Sequence, residues 1–212
     1  KSITVSNIDK TAPIGTLAQT PITWTNGNVT LNLTSITDTG GSGLDNIQLP
    51  NGTYVTGTTA SYPVSANGTY SFVIYDNAGN STTKSITVSN IDKTLPSGTL
   101  TASTTAWTNQ DVTLNLTAVT DSGGSGLKNI SLPNGTVVTG TSASQVVSTN
   151  GTYSFVIYDN AGNARTNSIT VSNIDKTVPV GSVVSSDTSP TNQPVMLTAS
   201  GSDTGSGLEL IE

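Results

Sequence analysis

One seven-residue phrase constrains this chain more than any other feature. Asn7-Ile8-Asp9-Lys10-Thr11-Ala12-Pro13 returns at Asn90–Pro96 and again at Asn173–Pro179, each time 83 residues further on. A fixed period of this length marks an array of similar supersecondary units. Residues 7–89 and 90–172 align without a gap and agree at about 60 of 83 positions, which indicates duplication of a self-contained unit. Each copy must bury a core of its own, and about 80–100 residues suffice for one small β-sandwich.

The period divides the chain. Residues 1–8 are expected to be the last strand of a preceding module, because Lys1–Asn7 repeats Lys84–Asn90. Residues 9–91 and 92–174 are expected to be full modules, and 175–212 the first half of a further one. That last copy has drifted: Trp24 and Trp107 have no counterpart in it, and Thr191-Asn192-Gln193-Pro194-Val195 stands in place of Trp107–Val112. Half a sandwich cannot bury its sheet, so the chain reads as part of a longer array.

Within a module the signals are those of strands. Val29-Thr30-Leu31-Asn32-Leu33-Thr34 alternates with period 2, as a half-buried strand does. Gly68–Tyr75 is the strongest strand, with Tyr70, Phe72 and Ile74 on one face and Val73 and Tyr75 on the other. Pro50-Asn51-Gly52 and Ala66-Asn67-Gly68 read as turns, and Asp76-Asn77-Ala78-Gly79-Asn80 as a hairpin loop. No window carries a helical stripe of apolar residues. Seven strands are expected in the first module, over 15–19, 29–36, 44–49, 53–56, 62–64, 69–75 and 82–89. The fold class is therefore all-β, with tandem immunoglobulin-like sandwich modules in an extended array.

Composition narrows the function. Charged residues are 9 %, against roughly 25 % in ordinary soluble domains. The net charge is −6 with no basic patch, so neither a nucleic-acid footprint nor a polybasic membrane-binding stretch is present. No apolar run is long enough to span a bilayer as a helix, so no membrane insertion is expected in this segment. The chain has no Cys and no His. A thiolate nucleophile, a Ser-His-Asp triad and a His- or Cys-ligated metal are all excluded. The expectation is a protein that is not an enzyme.

Three motifs recur together: Ile-Asp-Lys-Thr-x-Pro (Ile8–Pro13, Ile91–Pro96, Ile174–Pro179), Asp-x-Gly-Gly-Ser-Gly-Leu (Asp38–Leu44, Asp121–Leu127), and Gly-x-Tyr-x-Phe-x-x-x-Asp-Asn-Ala-Gly-Asn (Gly68–Asn80, Gly151–Asn163). The third copy shortens the second motif to Asp203–Leu208. On these residues the chain resembles the bacterial (Big-type) immunoglobulin-like domains of large cell-surface, adhesin and S-layer-associated proteins. The resemblance implies a non-enzymatic stalk or spacer on the extracellular face of a bacterial cell, whose partners are neighbouring modules of the same chain. Two alternatives stay open. One is an adhesin segment binding glycan or a host surface protein, and the other a component that assembles laterally into a surface layer or filament.

Several residues are candidates for more. Calcium takes six to eight oxygens, which carboxylates, Asn and backbone carbonyls supply. Candidate calcium ligands are Asp9, Asp92 and Asp175 in the junctions, Asp38, Asp121 and Asp203 in the Gly-rich loops, and Asp76, Asn77, Asn80, Asp159, Asn160 and Asn163 in the hairpin loops. The competing reading is that these residues cap turns through bonds to the backbone, and no single loop holds several carboxylates. Calcium is therefore a possible rather than a required cofactor. Trp24 and Trp107 are candidate partner-binding residues, although a Trp beside a strand more often covers the end of a core. The junction has no Gly/Ser run and ends in Pro, which makes it a stiff connector, and Ile8 is expected to pack between modules. Tyr70 and Tyr153 sit where sandwich domains place a Tyr that bonds back to the upstream backbone. The junction lysines Lys10, Lys93 and Lys176 read as solvated rather than as isopeptide donors. Asn-x-Thr triplets at Asn28, Asn32, Asn51 and Asn67 match the glycosylation pattern, as chance alone would produce in so Asn- and Thr-rich a chain.

Overall fold

The computed structural model describes residues 1–210. The structure is all-β. Strands β1 (Ile14–Thr20), β2 (Val29–Thr37), β3 (Leu44–Gln48), β4 (Tyr54–Val55), β5 (Ala60–Val64), β6 (Gly68–Asp76) and β7 (Ser81–Val88) form the first set. The second set is β8 (Ser97–Ala102), β9 (Val112–Thr120), β10 (Leu127–Ser131), β11 (Val137–Val138), β12 (Ala143–Val147), β13 (Gly151–Asp159) and β14 (Ala164–Val171). A hairpin of β15 (Val180–Ser185) and β16 (Leu197–Ser202) follows. Residues 1–13 carry no strand.

The first set makes two antiparallel sheets, β1-β2-β5 and β4-β3-β6-β7. Their inward side chains form one core: Val29, Leu31, Leu33, Ile36 and Val64 from one sheet, and Ile47, Phe72, Ile74 and Val88 from the other. This is a β-sandwich, with apolar residues alternating inward as the period-2 pattern requires. The short β4 pairs with the edge of β3 at Ile47↔Val55 and Gln48↔Tyr54. The second set repeats the order as β12-β9-β8 and β11-β10-β13-β14, with Leu114, Leu116, Ile130, Phe155 and Ile157 fully buried.

One irregularity corrects the simple alternation of β2. Between Ile14↔Thr37 and Thr16↔Thr34 the register slips by one residue, and Ser35 sits at φ 52°. This bulge turns Ile36 inward beside Leu33, which strict alternation would have exposed. Ala118 repeats it in β9 at φ 51°. A second constraint lies opposite the bulge. A Cβ on Gly15 would stand 3.0 Å from Ile74 and 3.2 Å from Ile36, so a bare backbone lets β1 close over the core.

By contacts the described chain groups into two units. The first is Lys1–Pro96 with Asp121–Lys128 and Tyr158–Ala164; the second is Ser97–Thr120, Asn129–Ile157 and the chain from Arg165 onward. The Gly-rich loop and hairpin loop of the second strand set therefore belong with the first unit.

Candidate functional site

The repeated phrase is where the structure concentrates its polar contacts. In the first unit, Ile91 is 6 % exposed and joins the core of the first sandwich. Asn67 brackets it: the side-chain amide donates to Ile91 C=O at 2.8 Å, and Ile91 N–H donates to Asn67 Oδ1 at 2.9 Å. Asn90, itself buried, donates through Nδ2 to Thr23 C=O (2.7 Å) and Pro21 C=O (3.1 Å) and accepts from Gln19 Nε2 (3.0 Å). Thr25 N–H donates to Asn90 C=O at 3.0 Å and Asp92 N–H to Thr25 C=O at 2.9 Å, a one-residue parallel bridge. The phrase thus closes the sandwich that it leaves. At the repeats of Ile8, the isoleucine goes into the sandwich that the phrase leaves: Ile91 joins the core of the first sandwich, and Ile174 is likewise buried.

Two residues later the phrase turns to the loops that follow it. Asp92, 2 % exposed, accepts from Thr94 N–H (2.9 Å) and Ser125 N–H (3.1 Å), and Asn163 Nδ2 donates to its C=O at 2.9 Å. A Cβ on Gly123 would fall inside the Asp92 carboxylate. Only glycine leaves room for it. Asp9 and Gly40 repeat this arrangement, with Thr11 and Ser42 as donors, and so do Asp175 and Gly205, with Thr177 and Ser206.

Asp9 and Asp92 also meet the other two loop motifs, and Asp175 meets the Gly-rich one. Carboxylate oxygens of Asp9, Asp38 and Asp76 lie within 4.8 Å of one another, as do those of Asp92, Asp121 and Asp159. Asp175 and Asp203 are bridged by the Ser206 hydroxyl at 2.9 and 3.5 Å. The loops were read separately from the sequence, and their convergence was not legible there. A shared 83-residue period was the only signal that could have linked them.

The donors around each cluster come from the protein itself. Asp38 accepts from Gly40 and Gly43 N–H at 3.0 and 2.8 Å. Asp76 accepts from Ala78 N–H, Asn80 N–H and Asn80 Nδ2 at 2.7–3.0 Å. Asn77 and Asn160 point their amide N–H groups at the carbonyls of Ser42–Leu44 and Ser125–Leu127. Asn80 and Asn163 likewise act as donors. Calcium needs oxygen ligands; the carboxylates of each cluster lie close enough together to hold such an ion, while the four asparagines engage their neighbours here through Nδ2.

Hydrogen bonding holds the junction aspartates in their charged form. The Ser42 hydroxyl, then Thr11 N–H, place the Asp9 carboxyl below its ordinary value, against a smaller push from burial. For Asp92 burial is the largest influence and pushes upward, but Ser125 and Thr94 donors together outweigh it. For Asp175, Ser206 N–H and Thr177 N–H bring it down to about 2.

The tryptophans do not bury as core covers. Trp24 is 37 % exposed and Trp107 53 % exposed. Trp24 lies over the second loop glycine: a Cβ on Gly124 would stand 3.5 Å from its Cη2. The shortened third loop lacks that glycine. Tyr70 and Tyr153 donate to Ala66 C=O and Thr149 C=O at 2.8 and 2.7 Å, the backbone tie expected for them. Of the junction lysines, Lys93 reaches Ser65 C=O, and Lys176 pairs with Asp111 at 2.6 Å in an exposed ion pair.

Comparison with known proteins adds little to this geometry. No family model matches the chain, and no curated protein matches it. One similar solved structure is described as the structural basis for the promiscuous specificity of carbohydrate-binding modules from the β-sandwich superfamily. It aligns at 15 % identity and a TM-score of 0.32, covering 79 % of this chain and 86 % of that one. Similarity at that level carries no argument about function.

Proposed function

We propose that the chain is a non-enzymatic structural stalk or spacer, built from repeated β-sandwich units on the outside of a bacterial cell. The observation that carries this reading is the two-sided hold on Asn90–Thr94. Asn67 and Thr25 bind it on one side, and Ser125 and Asn163 on the other. A connector whose backbone groups are this fully paired is stiff, unlike a Gly/Ser linker. Repetition then sets reach, and the weakly charged Thr-, Asn- and Ser-rich surface keeps the units hydrated.

The aspartate clusters serve this reading as turn and junction clamps. Their oxygens already accept N–H donors, so stiffness need not depend on an ion. Small-angle scattering of the full chain with calcium and then with chelator tests both points. The expected result is an extended particle unchanged by chelator. A compact or freely jointed particle in both conditions overturns the stalk. An extended particle that collapses on chelation assigns Asp9, Asp38 and Asp76 and their repeats to calcium.

A second reading, a repeated weak binding surface for glycan or protein, is favoured by the exposure of Trp107 alone. Such sites gain from avidity. Trp107 fluorescence unchanged by glycans and by cell-surface extracts would count against it.

A further inference from the structure

The outer face of the β4-β3-β6-β7 sheet carries an aromatic pair that the core does not use. Ile47 is buried in the core and pairs with Val55, so the next pair along, Gln48 and Tyr54, points outward. Gln48 also pairs with Val73 of β6, and Tyr75 follows two residues on along the same face. The Tyr54 and Tyr75 rings stand 6.3 Å apart, centroid to centroid, and are tilted by 45°. Tilted rings do not cover each other as stacked ones do, and Tyr54 is 57 % exposed.

Beside the rings, β3 bulges. Leu44 pairs with Asp76 and Ile47 with Ile74, so Asp45 and Asn46 together oppose Tyr75. Asn46 Nδ2 donates to the exposed Asp45 carboxylate at 2.7 Å, which orients the amide. Its Oδ1 is shielded and accepts no hydrogen bond. A shielded acceptor without a donor is unfavourable, and turning the Asn46 side chain outward to a hydroxyl donor relieves it. The arrangement belongs to the first copy alone: Val137, Ser131 and Lys128 stand where Tyr54, Gln48 and Asp45 would recur. The face itself is open in both copies, since Tyr158 and Val137 are 36 % and 58 % exposed.

We propose that Tyr54, Tyr75 and the Asp45–Asn46 bulge form a binding site for a neutral sugar chain. The C–H face of a pyranose ring suits the negative face of an aromatic ring. The hydroxyls of the sugar donate to the Asp45 carboxylate and to Asn46 Oδ1. The charged group at the site is a carboxylate, in a chain of net charge −6, so a neutral sugar is accepted and a phosphate, sulfate or uronate is repelled. Tyr54 is the anchor, because it is the more open ring and the one the second copy lacks. The site stands whether or not the chain is a stalk, and it is distinct from a repeated surface centred on Trp107.

The test is an NMR titration of the full chain with short oligosaccharides of cellulose, amylose, mannan and chitin, and with oligogalacturonate as the acidic control. The expected result is that at least one neutral sugar, at millimolar concentration, gives saturable shifts of the Tyr54 and Tyr75 rings and of the Asn46 side-chain amide, with the Trp107 indole unmoved. Tyr54→Val installs the residue that the second copy carries there, so the strand tolerates it. It should weaken binding at least about tenfold, as loss of an aromatic anchor does, whereas Tyr54→Phe keeps the ring and should stay within about twofold. Asn46→Ala should weaken binding about fivefold through the lost acceptor. Absence of a saturable Tyr54 shift with all four neutral sugars, equal binding by the Tyr54→Val variant, or equal binding of oligogalacturonate overturns the proposal. Shifts confined to Trp107 overturn it in favour of the repeated surface.

Discussion

Glycine at positions 40, 123 and 205 makes the junction possible. The carboxylate of the preceding junction aspartate occupies the space where a Cβ would be, and no rotamer of a larger residue avoids it. Gly123→Ala should cost about 1–3 kcal/mol, the range for losing a buried hydrogen-bonded contact. Calorimetry would show the loss, and NMR should show the Thr94 and Ser125 amides moving together. A melting point within error of the parent would mean that the Asp92 clamp contributes nothing. The bulge residues Ser35 and Ala118 teach the same lesson from the other direction. Left-handed backbone is unfavourable for both, yet it is retained because it turns Ile36 and Val119 into their cores. The spacing of apolar residues at 29, 31, 33 and 36 already breaks the period of two, so the bulge could have been read from the sequence.

At the level of the connector, the phrase Asn-Ile-Asp-Lys-Thr-x-Pro divides its work. Asn90 and Ile91 finish one sandwich, and Asp92 fastens the loops that follow. Asn67→Ala would leave Ile91 N–H and C=O without their side-chain partners, at a cost of about 1–3 kcal/mol. Hydrogen exchange should quicken at Ile91 before it does in β6. Unchanged exchange there would remove Asn67 from the account. Acid should loosen the other half. Asp9, Asp92 and Asp175 have their folded pKa values lowered from 3.8, so the unfolded chain binds protons first. Their stabilisation is complete above pH 3.8 and is lost as pH falls through the folded values, about 2 for Asp175. Carboxyl NMR titration should place the loss of the Thr177 amide shift between pH 3.8 and about 2, and that of the Thr94 amide shift below pH 3.8, with a plateau above for both. Loss of those shifts near pH 5 would contradict the clamp.

For the molecule as a whole, each strand set has an aromatic centre of its own, Phe72 in one and Phe155 in the other, both fully buried. Phe72→Ala should cost about 3–5 kcal/mol by leaving a cavity. Exchange measured by mass spectrometry should then show β1–β7 opening while the Leu114–Leu116 stretch of β9 keeps its protection. Simultaneous opening of both sets would show one cooperative unit where two cores suggest two.

Strands, turns and repeat were legible in the sequence because their causes are local. Side-chain alternation places a strand, Asn-Gly places a turn, and duplication copies both. The seven strands of the first set fall within a few residues of where that alternation puts them, and Tyr70 finds the backbone carbonyl expected of it. The meeting of Asp9, Asp38 and Asp76, the burial of Ile91 in the sandwich it leaves, and the exposure of Trp24 were decided only when three loops distant in sequence came to one end of a sandwich. No local rule couples residues about 30 and 70 positions apart. That coupling comes from sheet packing, which sets which loops share an end, and from a glycine whose missing side chain lets a carboxylate in.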